Sequence, residues 1–366
     1  MAIRVLFALA AVTSLLAGIV GGLLRAGVGV PEALGGSWLG QAVAAHAFLM
    51  ICTFMGTVIG IERAVAVKNR LAFAAPVLSG LAGLVMLAGS AGAARWLAVM
   101  AGLAFVGVNV LVVKRQRAAH TALLLAGALA WLAGNLLFAI DALPGAVIPW
   151  WFSFLVLTIA AERLEMTRLM RRRAGAAAAL YGVLAAMLVG SGASALSPVW
   201  GGVLYGLSLL CLAAWLVAFD IARRTVMANG LSRYMAVCLL LGYLWLGVAG
   251  VAWMATSLGL AYRDAALHGL ALGFVFSMML GHAPVILPAI ARVKLLFGWH
   301  FYIPLALLHA SLLLRLLGAQ FDSALRSSGA LCNAFAIALF AITVAGSIVA
   351  WRLKHSHRQP QGTRVV

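Results

Sequence analysis

Long apolar runs broken by short basic punctuation fill almost the whole chain. They read 3–25, 38–62, 71–91, 93–113, 118–140, 146–164, 175–193, 199–221, 233–258, 265–290, 300–318 and 328–351. Each approaches the roughly twenty apolar residues that an α-helix needs to cross a bilayer. The alternating ten-residue signature of an outer-membrane barrel is missing. The pattern therefore predicts an all-α, polytopic integral membrane protein with about twelve transmembrane helices. Residues 1–351 read as a single transmembrane domain, and 352–366 (RLKHSHRQPQGTRVV) as a disordered cytoplasmic tail. The first run continues past a signal peptide's length without a clear cleavage signature, so it reads as an uncleaved span. Connections are short, which places any chemistry inside or at the edge of the helix bundle.

Composition agrees: 65% of residues are hydrophobic and 9% charged, against roughly 25% charged in soluble domains. The net charge of +18 changes meaning once it is mapped. With a cytoplasmic N-terminus, Arg4, Arg63, Lys68, Arg70, Lys114, Arg115 and Arg117 lie inside, as does the run Arg168, Arg171, Arg172, Arg173. Arg25, Arg95, Arg263, Arg315 and Arg326 fall on the other side. This alternation is the positive-inside rule, and it predicts cytoplasmic N- and C-termini. The basic charge answers to topology and anionic lipid, so no nucleic-acid partner is expected. Cys52, Cys211, Cys238 and Cys332 lack a C-x-x-C spacing and read as apolar buried thiols.

A four-span period is visible in GTVIGIERAVAV, LVLTIAAERLEMTRL and GHAPVILPAIARVK, at the ends of spans two, six and ten. That suggests a 4+4+4 pseudo-repeat. A 6+6 layout of the transporter kind is the alternative, because the most basic loop falls at the midpoint.

Polar groups inside the runs carry the functional signal, because they are costly there. His46 lies in AAHAFLMICTFMG, with Met50 one turn further on the same face. It reads as a metal or haem ligand, as an imidazole bonded to a neighbouring helix, or as a proton relay. His268 opens span ten, and Asp264 one turn earlier can fix its tautomer, cap the helix or pair with Arg263. His282 follows His268 by fourteen residues, on the same face and about 21 Å further along the axis. The segment Gly281-His282-Ala283-Pro284, with Pro288, predicts a helix broken over 281–288 or a plain kink. His309 lies at a depth like that of His46, with Arg315 further out and able to pair with a propionate or a carboxylate. His120 and His300 mark interfaces, and His355 and His357 lie in the tail. Two imidazoles could clamp a haem iron, and three could hold copper. The aromatics Trp245, Trp253, Phe274 and Phe276 could pack such a cofactor or serve ordinary packing.

The pairing of HAFLM in span two with HGLALGF and GHAP in span ten resembles the NnrS family of bacterial membrane proteins. Ala283-Pro284-Val285 stands where that family carries Thr-Gly-Arg. The twelve-span layout is also similar to the catalytic subunit of haem-copper oxidases, in which helices two and ten hold the low-spin haem. Spans six and seven here lack histidine, so that family's usual copper centre is not expected. These resemblances imply haem b, with copper as a further candidate, on His46, His268, His309 and Met50. They imply metal ligation by His282 and His309, with Asp264 and Arg315 in support. Without a C-x-x-C-H the haem would be non-covalent.

The expected function is electron transfer or nitric oxide handling in a bacterial cytoplasmic membrane, as an oxidoreductase if a substrate is turned over. The partners implied are the lipid bilayer, a quinol or cytochrome electron donor, and a small gaseous or small-molecule ligand. The alternatives are a secondary transporter of a metal ion or small anion, and an assembly factor without a cofactor.

Overall fold

The computed structural model describes residues 2–29, 31, 35–167, 174–291 and 293–356. Its helices run α1 (Ala2–Arg25), α2 (Ser37–Ala44), α3 (Gly56–Val67), α4 (Ala74–Leu87), α5 (Ala91–Arg115), α6 (Ala119–Ala139), α7 (Pro144–Met166) and α8 (Ala176–Leu196). They continue as α9 (Pro198–Phe219), α10 (Ala222–Thr225), α11 (Gly230–Ser257), α12 (Arg263–His268), α13 (Ser277–Ala291), α14 (Tyr302–Gly318) and α15 (Ser323–Ser356). No strand occurs among the described residues. Among the described residues eleven helical stretches are long and apolar enough to cross a membrane, and α1 adds the apolar stretch Leu9–Arg25. The protein is thus a multi-pass, all-helical membrane protein.

Sequence neighbours pack side by side: α4 on α5, α5 on α6, α6 on α7, α8 on α9, α9 on α11 and α14 on α15. Burial follows the four-span period. Spans two, six and ten are the most enclosed, at 67%, 72% and 61% buried, against 17% for the last span. These three helices form the middle of the bundle, and the others surround them. Asn135 ties the middle together at no cost in unpaired groups. Its amide donates to the Ala98 carbonyl (2.9 Å), and its oxygen accepts from Trp151 (3.0 Å) and the Cys52 thiol (3.3 Å).

Three features depart from the sequence pattern. First, spans two and ten each contain an eight-residue π-helical run, Phe48–Met55 and Gly269–Phe276. Such runs are rare and cluster at functional sites. Second, α13 passes unbroken through Pro284 and Pro288, so the expected break over 281–288 is absent. A membrane helix tolerates proline when neighbours and local adjustments satisfy the freed carbonyls, and the irregular winding here precedes the prolines. Third, α15 continues to Ser356, so the tail does not begin at 352. His355 stacks on Trp351 at 4.2 Å and bonds its carbonyl at 2.8 Å, and Lys294 lies over the same indole at 5.1 Å. The rest of the expected tail, including His357, lies outside the described residues. So do the basic residues Arg168, Arg171, Arg172, Arg173 and Arg292, and the Arg4 side chain.

Candidate functional site

His46 and His268 meet across the bundle. Their ring centroids lie 6.3 Å apart, with the planes inclined by 29°. His268 sits directly before the π-helical run of the tenth span, and His46 one residue further back from that of the second. Each is also fixed through Nδ1. For His46 the partner is the Gly18 carbonyl at 2.7 Å. For His268 it is an Asp264 carboxylate oxygen at 2.8 Å. A carbonyl or carboxylate can only accept, so both Nδ1 atoms carry the proton. Both Nε2 atoms are then bare lone pairs, and among the described residues neither has a hydrogen-bond partner. This is the orientation that a carboxylate or carbonyl imposes on a metal-binding imidazole.

Asp264 is itself clamped. Arg315 donates from Nε (2.9 Å) and from a terminal nitrogen (2.8 Å) to the two carboxylate oxygens. Arg326 approaches to 3.8 Å. Of the three roles open to Asp264, tautomer control is realised, no side-chain cap forms, and its partner is Arg315 rather than Arg263. The fork geometry makes this a specific and rigid pair. A serine on α15 closes the corner, with Ser327 donating to the Ala26 carbonyl at 2.6 Å.

Two cavities share the histidine pair as a wall. One, of about 900 Å³, is lined by Arg25, Arg263, Arg315 and Arg326 and by the aromatic rings of Phe48 and Trp151. The other, of about 120 Å³, is apolar and lined by Met50, Met55, Phe152, Leu155 and Phe276. Together they offer the size range of a cofactor or ligand pocket, with an apolar body and a few convergent polar groups. Gly22 makes room for His46, because a Cβ there would lie 2.7 Å from the ring. Gly18 does the same for Met50, at 2.6 Å from its sulfur. Gly18 and Gly22 were legible only as a small-xxx-small pair. The π-helical runs left no sequence signal.

The remaining histidines separate from this pair. His309 is 8% exposed and fully engaged. Trp245 donates to its Nδ1 at 2.9 Å, so its proton must sit on Nε2, which donates to Ser277 at 3.3 Å. Ser277 in turn donates to the Cys238 carbonyl at 2.9 Å. No lone pair is left for a metal, which corrects the reading of His309 as a ligand. Among the described residues no three His, Cys, Asp or Glu side chains gather to hold a metal ion, so the expected convergence of three imidazoles on copper does not occur. His282 stands apart, bonded through Nδ1 to the Met278 carbonyl at 2.7 Å. Of the four aromatics considered from sequence, only Phe276 lines the cavities; Trp245 is committed to His309.

Comparison with known proteins adds one finding. Residues 4–349 match a family described as Domain of unknown function (DUF8744). The chain belongs to that family. No curated protein and no solved structure matches it. The description names no ligand or activity, so the functional reading rests on the site itself.

Proposed function

We propose that His46 and His268 hold a non-covalent haem b between spans two and ten, in an electron-transfer protein of the cytoplasmic membrane. The observation that carries this is the pair of bare Nε2 lone pairs on one cavity at a 6.3 Å ring spacing. Metal–imidazole bonds of about 2 Å, with roughly 1 Å of ring on each side, require a spacing of about 6 Å. Imidazole suits iron, and it also suits copper and zinc. The cavity of about 900 Å³ has room for a macrocycle, Arg25, Arg263 and Arg326 on its wall supply positive charge for acidic substituents, and the small apolar cavity adjoins it at the histidine pair.

Bound haem supplies one-electron chemistry. The chain's own residues do the rest. Asp264 and the Gly18 carbonyl hold the two imidazoles in one tautomer and orientation. Met50, Phe152 and Phe276 exclude water from the apolar side. Both imidazoles would be taken up in holding the haem, which favours electron transfer over direct handling of nitric oxide. The transporter alternative loses its main support, since α13 is continuous.

The test is a reduced-minus-oxidised absorption spectrum of protein purified from haem-replete cells, with iron measured on the same sample. The expected result is a haem b band near one per chain that is lost in His46→Ala and in His268→Ala. Colourless, iron-free protein from such cells would refute the reading.

A further inference from the structure

Spans two and ten meet at His46 and His268 and again at Phe54 and Phe276, and they part at their other end. There α3 packs on α4 and α5, and α13 packs on α11. Between them lies a cavity of about 350 Å³, far above the roughly 15 Å³ that admits one water. Lys68, Asn69, Arg70 and Phe73 line one side of it, and Ala289 and Ile290 of α13 line the other. The cavity sits where the apolar stretches Phe48–Val67 and Arg70–Leu87 turn back on each other. At the end of such spans a bilayer changes from acyl chains to headgroups.

The turn that carries the two cations is fixed by the chain. Lys68 ends α3 with φ 56°, in the left-handed region that favours glycine. Its N–H donates to the Ala64 carbonyl at 3.2 Å, and Arg115 donates to the Val67 carbonyl at 2.9 Å. The Asn69 side chain accepts from the Leu71 N–H at 3.0 Å. The Lys68 and Arg70 side chains are exposed, and among the described residues they make no hydrogen bond or ion pair. Lysine thus stands in a strained conformation with no such contact to offset it, and strain of that kind points to a use. Beside the two cations Leu71 is 80% exposed. Two free cations and a bare leucine within four residues match the boundary between phosphate and acyl chain.

We propose that this cavity seats the headgroup of an anionic phospholipid, with its phosphate held by Lys68 and Arg70 and an acyl chain against Leu71, Phe73 and Ile290. Charge complementarity selects the headgroup, because lysine and arginine at a membrane surface attract anionic lipid and basic pockets between membrane helices hold it. The apolar wall selects a lipid over a dissolved anion, since Phe73, Ala289 and Ile290 offer a hydrated phosphate nothing. The site lies a full span away from the histidine pair. The inference therefore stands apart from the haem reading and holds whether or not a cofactor is bound.

The experiment is native mass spectrometry of the delipidated full chain in mild detergent, with phosphatidylglycerol or phosphatidylcholine of the same acyl chains added. Wild type should retain one phosphatidylglycerol in preference to phosphatidylcholine. The preference should fall about 5-fold in Lys68→Gln or Arg70→Gln and about 30-fold in the double variant, at the usual strength of such attractions. Ala289→Trp fills the cavity without changing the charge and should lose the lipid as well. The pair Lys114→Gln, Arg117→Gln removes the same charge from an exposed turn outside the cavity and should leave the preference intact. Because the wild-type preference is read first, a misfolded variant does not decide the outcome. Equal retention of the two lipids by wild type would overturn the proposal. So would an equal loss in the Lys114 and Arg117 pair, which would make the attraction diffuse. Displacement of the lipid by millimolar inorganic phosphate would assign the cavity to a dissolved anion instead.

Discussion

Replacing Asp220 should produce the largest stability loss of any single polar substitution outside the histidine site. Its carboxylate is 1% exposed and that of its partner Arg163 side chain 4%, so solvent screening is small. Asp220 also accepts from the Ala222 backbone N–H at 2.8 Å, closing the turn after α9. Breaking a buried pair from one side leaves an uncompensated charge and costs about 3–5 kcal/mol. Asp220→Asn keeps an oxygen for the turn and should lose only that amount. Asp220→Ala should lose about 1 kcal/mol more, for the turn bond. The double variant Arg163→Met, Asp220→Leu removes both charges and should recover most of the loss, because apolar replacement of a buried pair is often near neutral. Equilibrium unfolding in mixed micelles, with tryptophan fluorescence as the probe, reads all three. An Asp220→Asn variant within about 0.5 kcal/mol of wild type would show that the guanidinium finds water or headgroups, and the argument from burial would fail.

Other expectations follow from single contacts. Gly22→Ala places a methyl 2.7 Å from the His46 ring, so the ring must leave the Gly18 carbonyl. Haem retained per chain should fall several-fold while helical content by circular dichroism stays unchanged. Asp264→Asn removes the charge and one of two acceptor oxygens, so His268 Nδ1 and the Arg315 fork are left with a single amide oxygen between them. Cofactor affinity should fall by about 10–100-fold, as for other partners of metal ligands, measured by haem titration of the apoprotein. His309→Ala breaks the Trp245–His309–Ser277 chain. It should destabilise by about 2–4 kcal/mol through the cavity and the orphaned Trp245 N–H, and leave any haem spectrum in place. A lost spectrum in folded His309→Ala protein would return His309 to the ligand set.

The spans were legible because the bilayer acts on every residue of a span at once. The twelve runs and their basic ends survive a missed residue here or there, and the span limits agree with the helices to within a few positions over most of the chain. The four-span period was also legible, in the polar endings of spans two, six and ten, which are the three most buried. The site was legible only in part. His46, Met50, His268 and Asp264 stood out because each is a polar or soft group in an apolar run. His309 stood out for the same reason and was misread, since its partners Trp245 and Ser277 lie 64 and 32 residues away. One-dimensional spacing reports the cost of burying an imidazole, and says nothing of what offsets that cost. The prolines misled in the same way. A proline withdraws one donor locally, but whether the helix breaks depends on neighbours that sequence distance does not encode.

The π-helical runs change which face of each helix follows the histidine pair. A regular α-helix advances 100° per residue, which would put Glu62 about 160° round the second span from His46. The wider π turn rotates less per residue, so Phe48–Met55 re-aims the face that follows it. In span ten the effect has the other sense: fourteen regular steps would leave His282 within about 40° of His268, and Gly269–Phe276 turns it off that face. The two runs touch through Phe54 and Phe276, whose rings lie 6.3 Å apart. Re-winding one would therefore press directly on the other. Gly273 sits against Trp245, the donor to His309, so the wide turn of span ten is wedged against a fully bonded chain on spans nine and eleven. That wedge gives His309 a function consistent with having no free lone pair: it fixes the partner against which the π-helical run is held. The satisfied Trp245–His309–Ser277–Cys238 chain is the surface that backs the run here.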